Sequence, residues 1–317
     1  MIHRLIGGLA AVLVLLASCG DAAPVERSPE GSASGVPSAA VEYPVTVDTP
    51  SGDVTLEERP ERIVSLSPTA TEMLFAIGAG EQVVAVDDQS TYPSDAPKTD
   101  LSGYEPNVEA IASYSPDLVV FATETGGLAE ALEGIDIPAL LQPAATELRD
   151  VYDQIGQLGL VTDHVEEADE VSGGLREAID AITQNVTGVE GLSFYHELDD
   201  TYYSVTSDTF IGQLYGIVGL ENIADEAKGA AGGYPQLSAE YIIAADPDLI
   251  FLADTKCCGQ SPETVSERPG WGRIEAVQRD NVIPLDDDVA SRWGPRIVDY
   301  LRAIVEAVQR AEASEAA

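Results

Sequence analysis

Few side chains in this sequence stand in patterns that make or break bonds. The three histidines, His3, His164 and His196, are far apart and form no group of nitrogen ligands suited to zinc or manganese. No GxSxG elbow, GxxxxGK[ST] phosphate loop or GxGxxG turn after a strand occurs. A Ser-His-Asp site built on His196 would need a nucleophile that nothing in the sequence marks. Neither a catalytic residue, a metal site nor a cofactor is therefore expected, and a secreted α/β hydrolase stands only as the less favoured alternative. Two other groupings offer chemistry of a different kind. Cys257 and Cys258 are adjacent: an oxidising exterior would close them into a strained vicinal disulfide that stiffens its loop, and otherwise they are two free thiols. Asp286-Asp287-Asp288 is followed by Arg292, Trp293 and Arg296, whose guanidiniums would either grip an anionic ligand edge or pair with the three aspartates.

Charge narrows the partners. With 55 acidic and 16 basic residues the formal net charge is −39, a field that repels phosphate backbones and anionic membrane surfaces, so nucleic acid is excluded as a partner. A length of 317 residues is enough for about two domains, at ~150 residues each. The first stretch is an address. Leu5 to Ala17 is an apolar run of 13 residues, too short for the ~20 that span a bilayer as a helix, and residues 1–18 read as an export signal. Leu16-Ala17-Ser18-Cys19 resembles the bacterial lipobox, which makes Cys19 the lipidation site. Two or more acyl chains hold firmly, since each buried methylene contributes ~0.8 kcal/mol. Residues 19–40, rich in Ala, Ser, Pro, Gly and charge, read as a flexible tether.

The elements that must position these residues follow a β-α-β rhythm. Tyr43 to Leu56 alternates around Ser51-Gly52-Asp53 and predicts a hairpin. Ile63 to Leu66 predicts a strand, Ser67 caps a helix with Pro68 at its first position, and Gly78 closes it. Val83 to Val86, Leu118 to Phe121 and Ala139 to Leu141 continue the pattern of a mostly parallel sheet. A repeat is visible: Pro106 to Phe121 (PNVEAIASYSPDLVVF) superposes without a gap on Leu237 to Leu252 (LSAEYIIAADPDLIFL), an offset of 131 that matches Glu109 with Glu240 and Asp117 with Asp248. Between the copies, Val165, Ala168, Val171, Leu175, Ile179 and Ile182 recur at helical spacing. The chain thus divides into an N-terminal α/β lobe (41–162), a linking helix (163–187) of ~36 Å, and a C-terminal α/β lobe (188–317).

Ile63-Val64-Ser65-Leu66-Ser67-Pro68 with Thr71-Glu72, Tyr92-Pro93, Asn107-Val108-Glu109 and Ser115-Pro116-Asp117-Leu118 resembles the vitamin B12 and iron-siderophore class of ABC-transporter substrate-binding proteins. The likeness runs on through Tyr234-Pro235-Gln236, Glu240, Pro247-Asp248, Asp288 and Pro295-Arg296-Ile297, covering roughly residues 61 to 310. It implies two Rossmann-like lobes joined by a single long helix, a class III periplasmic-binding-protein-like architecture, with the ligand in the cleft between them. By the same resemblance, Glu109 and Glu240 dock against Arg residues of the ABC permease subunits. Tyr92, Tyr203 and Tyr234 match positions where the class sets aromatic rings around a corrinoid, Tyr104 lies beside a family Trp without aligning with it, and Asp288 offers a carboxylate. Arg292 and Trp293 complete the expected ligand site. The expected protein is a monomeric, lipid-anchored receptor on the outer face of the cell membrane, carrying a corrinoid such as vitamin B12; a ferric siderophore or haem is the alternative cargo.

Overall fold

Runs of three to five β-branched, Leu or aromatic residues become strands where both faces can be covered. The computed structural model describes residues 40–184, 186–187, 189–229 and 232–315. In chain order, β1 (Val45–Val47) and β2 (Val54–Leu56) form an antiparallel ribbon whose turn is closed by paired Thr49 and Gly52 backbone bonds, with Gly52 at φ +117°. There follow β3 (Ile63–Leu66), α1 (Pro68–Ala76), β4 (Val83–Val86), α2 (Val108–Ala112), β5 (Leu118–Phe121), α3 (Leu128–Glu133) and β6 (Ala139–Leu141). Two longer helices, α4 (Leu148–Thr162) and α5 (Val165–Thr183), lead to β7 (Ser193–Glu197), α6 (Phe210–Val218), β8 (Glu221–Asn222), α7 (Ala239–Ala245) and β9 (Leu249–Leu252). The chain ends with α8 (Pro262–Ser266), α9 (Glu275–Gln278), β10 (Val282–Pro284), α10 (Asp287–Ala290) and α11 (Ile297–Glu315). The strands form two parallel four-stranded sheets, ordered β4-β3-β5-β6 and β10-β9-β7-β8. This is the two-lobed α/β architecture expected from the sequence.

The repeat reappears in the hydrogen bonding. Ile63 pairs with Leu118 in one sheet and Phe194 with Leu249 in the other, the same register carried 131 residues along. In each lobe the matched aspartate ties down the start of the first strand. Asp117 accepts from the Glu61 and Arg62 amides at 2.8 and 2.9 Å, and Asp248 accepts from the Ser193 amide and hydroxyl, both at 2.8 Å. The Pro-Asp turn is thus a sheet-building device, and the glutamates eight residues earlier, on the preceding helices, are left without a structural task. The first helix closes as predicted, with Gly78 after α1 left-handed at φ +84°, and Gly219 closes α6 in the same way at φ +97°.

The linking helix is shorter than expected and does not run alone. It spans 19 residues, or ~28 Å, because Asp163 takes a left-handed turn before it and the poor helix formers Asn185, Val186 and Thr187 follow it. That turn folds α5 back against α4, and Gly159 permits the approach: a Cβ there would lie 2.4 Å from that of Ala168. The C-terminal helix α11 packs on α5 and α6, so one apolar core runs from Met73 and Leu158 through Leu175 to Phe194 and Ile304. The export signal, Cys19 and the tether up to residue 39 lie outside the described residues. Among the described residues, no helix is long and apolar enough to cross a membrane.

Candidate functional site

The strand order fixes where a ligand can sit. In the first sheet the chain leaves β3 toward β4 and leaves β5 toward β6, so the loops diverge beyond the carboxyl ends of β3 and β5 and leave a crevice. A cavity of about 210 Å³ occupies that position. Leu66, Asp87, Gly103 and Thr123 line it from the first lobe, and Asp288, Arg292 and Trp293 close it from the segment after β10. Gly103 is required on the floor, since a Cβ would come within 2.7 Å of the Leu66 carbonyl and 2.8 Å of the Asp87 carboxylate. Burial lifts the Asp87 carboxyl above the ordinary carboxylate range, even though the Ser90 hydroxyl donates to it at 2.6 Å.

The cationic side chains near this crevice are engaged. Glu72, buried on α1, accepts from Arg292 Nη1 at 2.8 Å and from Arg296 Nε and Nη2 at 2.9 and 2.5 Å. Arg292 also donates to the Gln89 carbonyl and to Asp288, at 2.8 and 3.1 Å. Asp288 in turn receives the Lys256 ammonium at 3.0 Å and the Thr91 hydroxyl at 3.3 Å. The network stitches α1 and the loop after β4 to the segment around α10. Of the two alternatives for these guanidiniums, pairing with carboxylates is the one seen: Arg292 meets Asp288 as one of the three aspartates, but its main partner, shared with Arg296, is Glu72, which sequence spacing could not pair with residues 220 and 224 positions away. One signal was present, a lone Glu within the otherwise apolar and hydroxylic stretch Pro68 to Ala76.

The expected aromatic residues are brought together only in part. Tyr104 lines the cavity beside Asp288, Arg292 and Trp293, and Trp293 donates its indole N–H to Gln154 at 2.9 Å. Tyr92 lies outside the lining but stacks beneath the Arg296 guanidinium, 4.4 Å from ring centroid to Cζ. Tyr203 and Tyr234 sit apart from the cavity on two segments of the second lobe joined by a Tyr203–Gln236 bridge. All four rings are large and open to solvent, at 47% (Tyr92), 73% (Tyr104), 40% (Tyr203) and 50% (Tyr234) exposure. Glu109 and Glu240 are both exposed in the first turns of α2 and α7, behind Asn107 and Ser238 caps. Cys257 and Cys258 are unjoined thiols. His196 is fully buried, with the Tyr215 hydroxyl 2.8 Å from Nδ1, and burial pushes it down to about 3. Shut away from solvent, it cannot serve a substrate.

The second lobe fills its own divergence point, between β7 and β9, with charge. At the offset of the repeat, Leu66 corresponds to Glu197 and Thr123 to Asp254, and both acids are fully buried. Glu197 takes a bidentate pair of bonds from Arg268 at 2.6 and 2.5 Å, and that guanidinium rests 4.5 Å from the Trp271 ring centroid. Desolvation, then the neighbouring Glu197, push Asp254 up to about 8. Folded protein consequently holds a proton on Asp254 that the unfolded chain has lost, so stability falls as pH rises toward 8. His196 acts in the opposite sense from about pH 3 to its ordinary value near 6.5, because unfolding lets it take up a proton. The two oppose each other in mild acid, and above the ordinary histidine value His196 drops out while Asp254 still acts. Urea denaturation should therefore show about 1–2 kcal/mol lost between about pH 6.5 and 8, a loss absent from Asp254→Asn, whose amide mimics the neutral acid. Equal pH slopes in the two proteins would refute this.

Comparison with known proteins places this geometry. The family described as "Periplasmic binding protein" matches residues 63–289. An uncharacterized ABC transporter substrate-binding lipoprotein of Bacillus subtilis, YvrC, is 30% identical over 307 residues, covering 93% of each chain. A cobalamin-binding protein of Halobacterium salinarum is 28% identical over 278 residues, covering 84% of this chain and 75% of the relative. Among solved structures, a possible iron-binding (periplasmic solute-binding) protein of Staphylococcus epidermidis superposes with a TM-score of 0.68 at 26% identity, covering 79% of this chain and 99% of that one.

Proposed function

The chain belongs to the periplasmic binding protein family as a substrate-binding protein of an ABC importer, and from that premise we propose that its cargo is a corrinoid of the vitamin B12 type. The observation that carries this reading is the pairing of Arg292 and Arg296 with Glu72, which leaves the crevice without a free guanidinium while four tyrosines stay exposed. An anionic ferric siderophore gains most from uncommitted Arg, whereas a large, mostly apolar macrocycle with polar edges gains from flat rings that carry hydroxyls. A cavity of about 210 Å³ is smaller than the ~300–1,000 Å³ of ordinary ligand pockets, so it would admit one edge of such a ligand. The remaining faces would lie against Tyr92, Tyr104, Tyr203 and Tyr234. Relatives named as cobalamin-binding and vitamin B12-binding proteins support the same choice.

In this reading the receptor is monomeric and lipid-anchored through Cys19 on the outer face of the membrane, and it performs no chemistry on what it carries. Its lipidation draws support from the Leu16-Ala17-Ser18-Cys19 motif and from a relative named as a lipoprotein. Tryptophan fluorescence, with Trp293 at the crevice as reporter, gives the test. Cyanocobalamin should quench saturably at concentrations on the order of micromolar. Quenching by haemin or a ferric siderophore, with none by cyanocobalamin, would overturn the corrinoid assignment.

A further inference from the structure

The loop after β9 is built around two carboxyl-bearing residues. The Asp287 carboxylate collects the Thr255 amide at 2.9 Å and hydroxyl at 2.6 Å, the Lys256 amide at 2.8 Å and the Cys257 amide at 3.0 Å. The backbone carbonyl of Asp254 accepts from the Cys258 and Gln260 amides at 3.2 and 3.3 Å. The Lys256 ammonium reaches Asp286 at 2.6 Å and Asp288 at 3.0 Å, so the loop is tied to a carboxylate that lines the crevice. Cys257 is exposed and Cys258 half-buried, and both are free thiols.

We infer that Cys257 and Cys258 are a reversible redox site at the crevice rim, and that closing their vicinal disulfide frees Lys256 from Asp286 and Asp288. The ring so formed contains the peptide that joins the two residues, and that peptide's N–H is the one donated to the Asp254 carbonyl. Closing the ring re-aims this N–H and removes the bond. The displacement reaches Lys256 directly, because the Lys256 and Cys257 amides share one carboxylate oxygen, Oδ2 of Asp287.

The oxidant is a low-molecular-weight disulfide, RSSR. The Cys258 thiolate attacks one sulfur and expels RS⁻. Cys257 then loses its proton to solvent and attacks Cys258 in the mixed disulfide, expelling the second RS⁻, so two electrons pass from the protein and two RSH leave. Desolvation, the Cys258 thiol and the Asp287 and Asp254 carboxylates push Cys257 up to about 12, which disfavours it as the first nucleophile. The carboxylates of Asp286, Asp287 and Asp288 disfavour an anionic reagent, so a neutral disulfide is the better oxidant.

The experiment is independent of the cargo's identity. Purified full-length protein in detergent is treated with 2-hydroxyethyl disulfide, and the peptide holding Cys257 and Cys258 is mapped by mass spectrometry, separately from Cys19. It should lose two hydrogens without gaining an adduct, and reductant should restore it. The sequence has only three lysines, Lys98, Lys228 and Lys256, so trace acylation reads Lys256 against two internal references. Hydrogen bonds to Asp286 and Asp288 raise the Lys256 pKa and hold down its free amine. On oxidation its labelling should rise roughly threefold or more, and Cys257→Ser and Cys258→Ser should each show no rise. Two thiols still open to alkylation after oxidant, or a closed disulfide with Lys256 labelling unchanged, would overturn the inference.

Discussion

Uptake of ligand by cells whose receptor carries both Glu109→Ala and Glu240→Ala should be abolished, while the affinity of the purified receptor for that ligand stays at the wild-type value. The two glutamates are exposed at matching positions of the repeat, and neither has a task in its own lobe: the sheet is tied down by Asp117 and Asp248 instead. Docked in this way, a two-fold permease would meet the same anionic group from each lobe, which is what a duplicated surface element can provide. Truncating one partner of a charge pair that becomes buried at an interface costs about 2–5 kcal/mol, so loss of both would remove much of the docking energy. Each single variant should retain partial uptake. Transport assays with labelled cobalamin, beside a binding titration, check this. Undiminished uptake in the double variant, or lost affinity, would end the docking role.

The second large effect concerns Glu72. Glu72→Ala leaves Arg292 and Arg296, both mostly buried, without the carboxylate that neutralises them. Removing one partner of a buried ion pair costs about 3–5 kcal/mol, and urea denaturation should register a loss of that size. Ligand affinity should fall as well, because Arg292 and Trp293 close the crevice. Replacing all three charges by apolar residues of similar volume should restore much of the stability, since the desolvation cost vanishes with the charges. A loss below about 1 kcal/mol in Glu72→Ala would refute the account.

How much could be read from the residues depended on how local the cause was. The ribbon at Val45 to Leu56, the cap at Ser67 and the closure at Gly78 each follow from neighbours in sequence, and each stands where it was expected. The repeat was legible because its period survives in the strand register. The site was less so. Glu72, Arg292 and Arg296 meet only because β3 and β5 diverge opposite the segment after β10, and no local pattern encodes that meeting. Tyr203 and Tyr234 were placed by likeness to a family rather than by geometry, and they lie outside the cavity's lining. The acids Glu197 and Asp254 drew no notice, since a carboxylate at the end of an apolar strand looks in sequence like an ordinary surface residue.

One apolar interior shared by α1, α4, α5, α6 and α11 bears on how cargo changes hands. Halves fused through such an interior behave as a fixed dish and not as a spring trap, because prying them apart would expose the very surface that holds the molecule together. Emptying the dish then falls to whatever it docks against. A transporter that grips both rims can do that work by straining the receptor, with energy drawn from nucleotide hydrolysis on the far side of the membrane.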